Sequence, residues 1–250
     1  MPISSQKRSQ QRAQALKQHA ELETFTNNFL TGYSASDKGI YCCEGCSGCC
    51  QLAVHAAYPE VVPVAEGLSE KQENNLAAYV KRLKAALPEI TSLKTYLKSH
   101  RQKIGPCPFL DTRGRCSIYS LRPLSCRALL STRPAAWCTV DFSELSCWDK
   151  QAYESSLDRQ VVAWPTHYVA ATQSFAQGLE NHLLLSMKQE KGWSLSGNFA
   201  MMTWLEHTSK LSERNITTTQ QLHDLLTNSG LDHPLLFNLS VSDQTTRSPT

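Results

Sequence analysis

The sequence predicts a mainly α protein in which an irregular cysteine core with a small β-hairpin is packed on N-terminal and C-terminal helices. Two observations support this class. Apolar residues recur at steps of three and four along most of the chain, and the ten cysteines of its 250 residues gather in the middle. We divide the chain into an N-terminal helix (1–40), a cysteine domain (41–148), a helical C-terminal region (149–239) and a disordered tail (240–250).

The first helix is predicted from about Ser5 to Leu30. Its apolar positions follow helical steps without an internal Gly or Pro, and Thr31 with Gly32 should end it. Basic residues precede its first acid, Glu21, a pattern that suits either a solvated face or an anionic partner.

Three helical segments are expected after residue 57. Tyr58-Pro59-Glu60 should begin the first, because Pro fits a first helical turn and an acid there suits the helix dipole. Ser69 should cap a helix that reaches about Ala86, before Pro88. The third runs from Glu89 to about His100.

Basic residues concentrate on the last two of these helices against a single acid, Glu89: Lys81, Arg82, Lys84, Lys94, Lys98, Arg101 and Lys103. Such a set forms either one cationic surface or ordinary solubilising charge. The net charge is only +3 and no aromatic residues are interleaved, so nucleic acid is not favoured as a partner.

The C-terminal region is predicted to be helical from Trp148 to about Leu226, interrupted at Pro165. Signals for β structure are confined to the hairpin of the cysteine domain.

The first cysteine motif places five thiols within residues 42–50. Read from Cys43, the spacing is CxxCxxCC, in which each two-residue gap lets the backbone curl and brings successive sulfurs together. Gly45 and Gly48 lie inside these curls, where a residue without Cβ permits the turn.

The second motif follows about sixty residues later and contains Cys107, Cys116 and Cys126. Asp111 to Gly114 is a turn signal, so Cys107 and Cys116 should face each other across a small hairpin. Pro123 can open a helix whose first turns carry Cys126.

Metal binding is the leading interpretation of these thiols. No apolar run follows the first basic residues, and no stretch approaches the roughly 20 apolar residues of a membrane span, so we expect a cytoplasmic protein. Thiols stay reduced in that compartment. An iron–sulfur cluster takes four thiolates and zinc takes four tetrahedral ligands, so the cysteine core would be stapled by iron or by zinc.

Other cysteine chemistries fit this context less well. Cys42, Cys46 and Cys49 spell the CxxxCxxC of radical SAM enzymes, but that chemistry needs repeated βα units that the pattern lacks. A thioredoxin-like CxxC would likewise need a βαβ surround. His55 follows Cys50 by five residues and stays open as a catalytic base, a metal ligand or a packing residue.

Three linked motifs carry a resemblance to a known family: Cys43-x2-Cys46-x2-Cys49-Cys50, Cys107-Pro108-Phe109-Leu110 and Cys116-x-Ile118-Tyr119-x2-Arg122-Pro123-x2-Cys126-Arg127. Over about residues 40–130 the chain resembles the YkgJ-like cysteine-cluster family of zinc- or iron-chelating proteins. Glu60 matches an acidic residue after the cluster, whereas Ser47 stands where members often have Gly. The resemblance implies seven ligands: Cys43, Cys46, Cys49, Cys50, Cys107, Cys116 and Cys126.

Cys42, Cys138 and Cys147 fall outside the resemblance, and the last two stay open between ligands and structural residues. A similar cysteine region in flagellin lysine N-methylases is associated with an iron–sulfur cluster, which implies iron rather than zinc. The chain lacks the Gly-rich loop after a strand that would cradle a methyl donor.

Three functions therefore remain open. The first is a protein that chelates iron, as an iron–sulfur cluster, or zinc. The second is a cluster-dependent enzyme that modifies a protein side chain in the manner of a lysine methylase, with no catalytic residue indicated. The third is a zinc-stapled module that binds a protein partner. Arg122 and Arg127 would offset thiolate charge in the first case, or form surface ion pairs.

Overall fold

A computed structural model describes residues 3–34, 39–216 and 218–241. Within them the chain forms helices α1 (Ile3–Ser34), α2 (Val62–Glu66), α3 (Glu70–Ala86), α4 (Leu93–Ser99), α5 (Leu124–Ala128), α6 (Ala136–Thr139), α7 (Cys147–Ser155), α8 (Ala170–Lys191), α9 (Phe199–Ser209) and α10 (Thr219–Asn228). Three strands accompany them, β1 (His55–Ala57), β2 (Trp193–Asn198) and β3 (Phe237–Val241). The mainly α class predicted from the sequence is confirmed.

Helix α1 packs along α8, so the N-terminal helix lies against the C-terminal region of the chain. The rings of Phe25 and Phe175 stack with centroids 4.1 Å apart, and the Gln14 amide donates to Ser186 Oγ at 3.0 Å. The predicted end at Thr31 and Gly32 is wrong, because α1 continues to Ser34. A glycine inside a helix costs about 1 kcal/mol but does not break it.

Helices α3 and α4 begin at serine caps. Ser69 caps α3 as predicted, since its hydroxyl accepts from Gln72 N–H and the Gln72 side chain accepts from Ser69 N–H. Helix α4 begins at Leu93, not at the predicted Glu89. Residues Leu87–Glu89 form a separate 3₁₀ turn, and Ser92 provides the cap of α4.

The strands form one antiparallel sheet in the order β1-β2-β3, although β structure was expected only in the hairpin. Ala56 pairs with Gly197, and Leu195 pairs with Leu239. Residues more than a hundred positions apart pair in β1 and β2, so no local turn signal marks them. A Cβ at Gly197 would lie 2.1 Å from the Leu236 carbonyl oxygen, which explains a glycine inside the strand.

The main hydrophobic core lies between this sheet and helices α2, α3 and α9. Among its fully buried side chains are Tyr58, Leu83, Phe109 and Met201. Strand β3 includes Ser240 and Val241, and the rest of the predicted disordered tail, 242–250, lies outside the described residues. Of the helices in the described ranges, none combines the length and the apolarity that crossing a membrane requires.

Candidate metal centre

The first cysteine motif folds as two tight backbone turns. Cys43 O accepts from Cys46 N–H at 3.1 Å, and Ser47 O accepts from Cys50 N–H at 3.0 Å. Gly45 lies between them at a φ of +83°, a conformation that favours glycine. The predicted curling of the CxxC gaps is therefore present.

The second motif is attached directly to the first. Cys107 N–H donates to Cys50 O at 2.9 Å. On the turn of the predicted hairpin, a Cβ at Gly114 would lie 3.3 Å from Ser47 Oγ. The first cysteine motif and the second are thus in direct contact with each other.

The hairpin itself is smaller than expected, with a single antiparallel bridge between Leu110 and Cys116. Cys116 therefore lies opposite Leu110, and the expectation that it would lie opposite Cys107 is wrong. The carboxylate of Asp111 accepts from the backbone N–H groups of Arg113 and Arg115, both at 2.8 Å. Hydrogen bonds to a side chain compete with those between the strands, so the paired part of the hairpin is short.

Helix α5 positions Cys126, as the Pro123 signal predicted. Cys126 N–H donates to Pro123 O at 3.0 Å in the first turn. Two contacts hold this turn to β1 and the segment after it. Ser125 Oγ donates to His55 O at 2.6 Å, and Leu124 N–H donates to the buried carboxylate of Glu60 at 2.7 Å.

Cys49 interacts with thiols of both cysteine motifs. A hydrogen bond with Cys50, followed by burial, raises the pKa of the Cys49 thiol far above its usual value. Burial raises the pKa of Cys107 to about 12, with further contributions from Cys116 and Cys49. Burial also raises the pKa of Cys126, and the neighbouring Cys107 and Cys49 add to it. The early motif and the later trio therefore meet at Cys49.

Cys42 and Cys138 form a second set of thiols near Cys49. Burial, together with the neighbouring thiols of Cys49, Cys46 and Cys138, raises the pKa of the Cys42 thiol to about 11. Ser131 N–H donates to Cys42 Sγ at 3.2 Å. A Cβ at Gly48 would lie 2.9 Å from the Cys138 Cβ, so α6 packs against the first motif.

The structure thus adds Cys138 to the neighbourhood of the predicted ligands. It is buried, and its electrostatic neighbours are Cys49 and Cys46. The sequence carries no signal that Cys138 lies near these cysteines, because the contact depends on where α6 packs. Neither the adjacent Trp137 nor the spacing from Cys126 indicates it. Cys147, by contrast, lies exposed at the start of α7.

The seven predicted ligands differ in exposure. Cys43 is exposed, and the other six are partly buried. Across the described ranges, no three side chains among His, Cys, Asp and Glu surround one point closely enough to hold a single ion. The donor set nevertheless consists of sulfur, which suits zinc and iron–sulfur clusters in kind.

Arg122 and Arg127 lie beside the thiols. Arg122 lowers the pKa of Cys116, against the larger effect of burial, and Arg127 acts in the same direction. The Arg122 guanidinium also lies over the Tyr119 ring at 3.7 Å. Neither arginine forms a salt bridge with a carboxylate of the described residues, and the Arg127 guanidinium donates to the backbone oxygens of Arg122 and Ser120.

His55 contacts an aromatic ring and not a thiol. Its Nε2 lies 3.4 Å from the Tyr96 hydroxyl, and the two rings meet edge to face. In turn the Tyr96 hydroxyl accepts from the Asn198 amide at 2.9 Å. These contacts favour the packing role among the three roles that the sequence left open.

The basic residues of α3 and the segment from α4 onward are largely engaged within the chain. Arg82 Nε donates to Ile104 O at 2.6 Å, and Lys84 lies over the Trp204 ring. Lys103 pairs with Glu89, and Arg101 pairs with Asp141. These four basic side chains thus make separate local contacts, which argues against the single cationic surface that was one of the two interpretations of the sequence.

Comparison with known proteins agrees with this geometry. Residues 42–150 match the family model CxxCxxCC, described as a putative zinc- or iron-chelating domain. No curated protein and no solved structure matches the chain. The match extends beyond the motifs recognised in the sequence and takes in Cys138 and Cys147. Residues 42–150 are therefore similar to the CxxCxxCC domains, which are described as putative zinc- or iron-chelating domains.

Proposed function

We propose that this domain binds an iron–sulfur cluster through thiolates drawn from both cysteine motifs. The observation that supports it most is the position of Cys49, whose thiol interacts with those of Cys107, Cys116 and Cys126. The candidate ligands are Cys43, Cys46, Cys49, Cys50, Cys107, Cys116 and Cys126, of which one [4Fe–4S] cluster would take four.

The closely spaced cysteines of the first motif suit a cluster. In a [4Fe–4S] cluster each thiolate binds a different iron atom, and neighbouring iron corners suit cysteines that are separated by two residues, as Cys43, Cys46 and Cys49 are. Zinc takes four tetrahedral thiolates, which two cysteine turns from distant parts of the chain would also supply. The experiment below distinguishes the two metals.

The surroundings also suit an anionic centre. Burial raises the pKa values of Cys107 and Cys126, so these thiols would lose their protons only to a strongly attracting cation. Arg122 opposes the effect of burial on the pKa values of Cys116 and Cys126, and Arg127 does so at Cys116, so positive charge lies near this part of the thiol group. When bound, a cluster supplies one-electron transfer or a structural link between the motifs.

The deciding experiment is anaerobic purification followed by visible absorption spectroscopy and analysis of iron, sulfide and zinc. We expect a coloured protein with iron and sulfide in similar amounts. Cys116→Ser and Cys126→Ser should each lower the iron content by more than about half, because both remove a proposed ligand. Cys147→Ser is the matched control and should retain it.

A colourless preparation with stoichiometric zinc would overturn the proposal of a cluster while leaving the thiols as ligands. Unchanged metal content in Cys116→Ser and Cys126→Ser would remove both residues from the ligand set.

A further inference from the structure

A cavity of about 350 Å³ lies between α6, α7 and the segment before α8, with Cys138 and Leu52 in its lining. Its walls include four aromatic side chains: Trp137, Phe142, Tyr153 and Tyr168. We propose that this cavity binds a small aromatic acid, with the acid group at Arg101 and Lys150 and the ring against the aromatic wall. This proposal does not rest on the metal proposal.

The size and stiffness of the cavity suit a small flat molecule. Its volume equals that of about a dozen water molecules in the liquid, enough for a ligand with a similar number of non-hydrogen atoms. The Tyr153 ring lies 4.8 Å from that of Trp137 and 4.7 Å from that of Phe142. Rings that already pack against one another form a preformed apolar wall and lose little entropy when a ligand binds.

The cavity also contains polar groups that define its inner end. The Tyr153 hydroxyl lies 2.9 Å from His167 Nδ1, and His167 Nε2 lies 3.4 Å from Cys138 Sγ. His167 and Cys138 are both buried. Because the Tyr153 hydroxyl, the His167 ring and the Cys138 thiol are hydrogen-bonded to one another, they line the inner end of the cavity and need no hydrogen bond from a ligand.

One cationic donor in the lining is unsatisfied. Nε of Arg101 is buried without a hydrogen-bond acceptor, although the other end of the same guanidinium pairs with Asp141 at 3.5 Å. Lys150 also lines the cavity and forms no salt bridge with a described carboxylate, and Glu154 is the one acid of the lining. An anionic oxygen would accept from the Arg101 Nε–H and attract the Lys150 ammonium.

The test compares three probes that share one ring system, namely indole-3-acetate, indole-3-acetamide and tryptamine, by calorimetric titration of the whole protein. We expect the acid to bind with a Kd below about 1 mM, and both the amide and the amine to bind at least about tenfold more weakly. Lys150→Gln should weaken the acid about fivefold or more, because it removes a facing charge. Lys71→Gln, an exposed lysine outside the cavity, should change nothing.

Two further measurements locate the site. Val140→Trp should abolish binding by filling the cavity, with far-UV circular dichroism confirming that the variant is folded. The acid should also slow alkylation of Cys138 by N-ethylmaleimide while leaving the exposed Cys147 unaffected, as followed by peptide mapping.

Equal binding of the three probes would overturn the charge assignment. Failure of the acid to bind, or binding that survives both Lys150→Gln and Val140→Trp, would overturn the proposed site.

Discussion

Glu60 is a fully buried carboxylate that joins three separate parts of the chain, and Glu60→Ala tests how the cysteine core is held to its surroundings. The carboxylate accepts from His19 Nε2 on α1 at 3.1 Å and from Ala57 N–H at the end of β1 at 3.0 Å. It also accepts from Leu124 N–H at the start of α5 at 2.7 Å.

Its removal leaves these donors buried without a partner and opens a cavity. Each hydrogen bond to a charged group contributes about 1.5–3 kcal/mol, and such contributions are not additive. We expect Glu60→Ala to lower the free energy of unfolding by about 3–5 kcal/mol, the usual cost of removing one partner from a buried charged network. Glu60→Gln should cost about half as much, since its carbonyl still accepts while its amide meets N–H donors.

The assay is guanidinium denaturation followed by far-UV circular dichroism. Glu66→Ala is the matched control, because Glu66 also reaches α1 through a pair with Arg12 at 3.2 Å, but near the surface. That pair should contribute no more than about 1 kcal/mol. If Glu60→Ala and Glu66→Ala lower stability to within about 1 kcal/mol of each other, the reasoning about the buried network is refuted.

Three other predictions concern charge, packing and metal. Burial and the neighbouring Glu60 raise the pKa of Glu180 from 4.5 to about 8, so the unfolded chain loses this proton first. Stability should therefore fall by roughly 2–4 kcal/mol between pH 4.5 and 8 and then level off, and Glu180→Gln should remove this fall in denaturation series at several pH values. Gly48→Ala should cost about 1–3 kcal/mol, because its Cβ would lie 2.8 Å from Ala135 O and 2.9 Å from the Cys138 Cβ. The control is Gly32→Ala, whose added Cβ meets no atom within 4 Å and which should be neutral or stabilising. Thermal melts of the two variants check this. Removing the metal with a chelator should lower the melting temperature by at least about 5 °C, and restoring the metal should reverse it; an unchanged melting temperature would argue against a stapling role.

The sequence predicted the features that depend on local chemistry. Ser69 and Pro123 mark helix starts that the structure contains, because caps and first-turn prolines act within a few residues. The turns of the CxxCxxCC motif were predicted for the same reason, because they depend on residues only two or three positions apart. That the two motifs share one metal stays a prediction, and the interactions of the Cys49 thiol with those of Cys107, Cys116 and Cys126 agree with it.

Features that depend on distant packing were not predicted. Pairing of β1 with β2 joins residues such as Ala56 and Gly197, and neither strand carries a hairpin signal. Cys138 approaches the first motif only because α6 packs on Gly48. The cavity beside Cys138 likewise depends on residues on different elements, including Trp137 and His167, whose spacing in the sequence follows no motif.

The proposed chelating domain is not structurally self-contained, although the family match covers only residues 42–150. Leu124, two residues before Cys126, is held by Glu60, which in turn contacts His19 on α1. Strand β1, which follows the first motif, is paired along its length with β2 from beyond the match. The segments that carry the thiols are therefore held by α1 and β2, both outside the matched residues. If the domain binds metal as we propose, metal binding and the packing of α1 and β2 are coupled through these contacts in both directions, because such coupling is reciprocal.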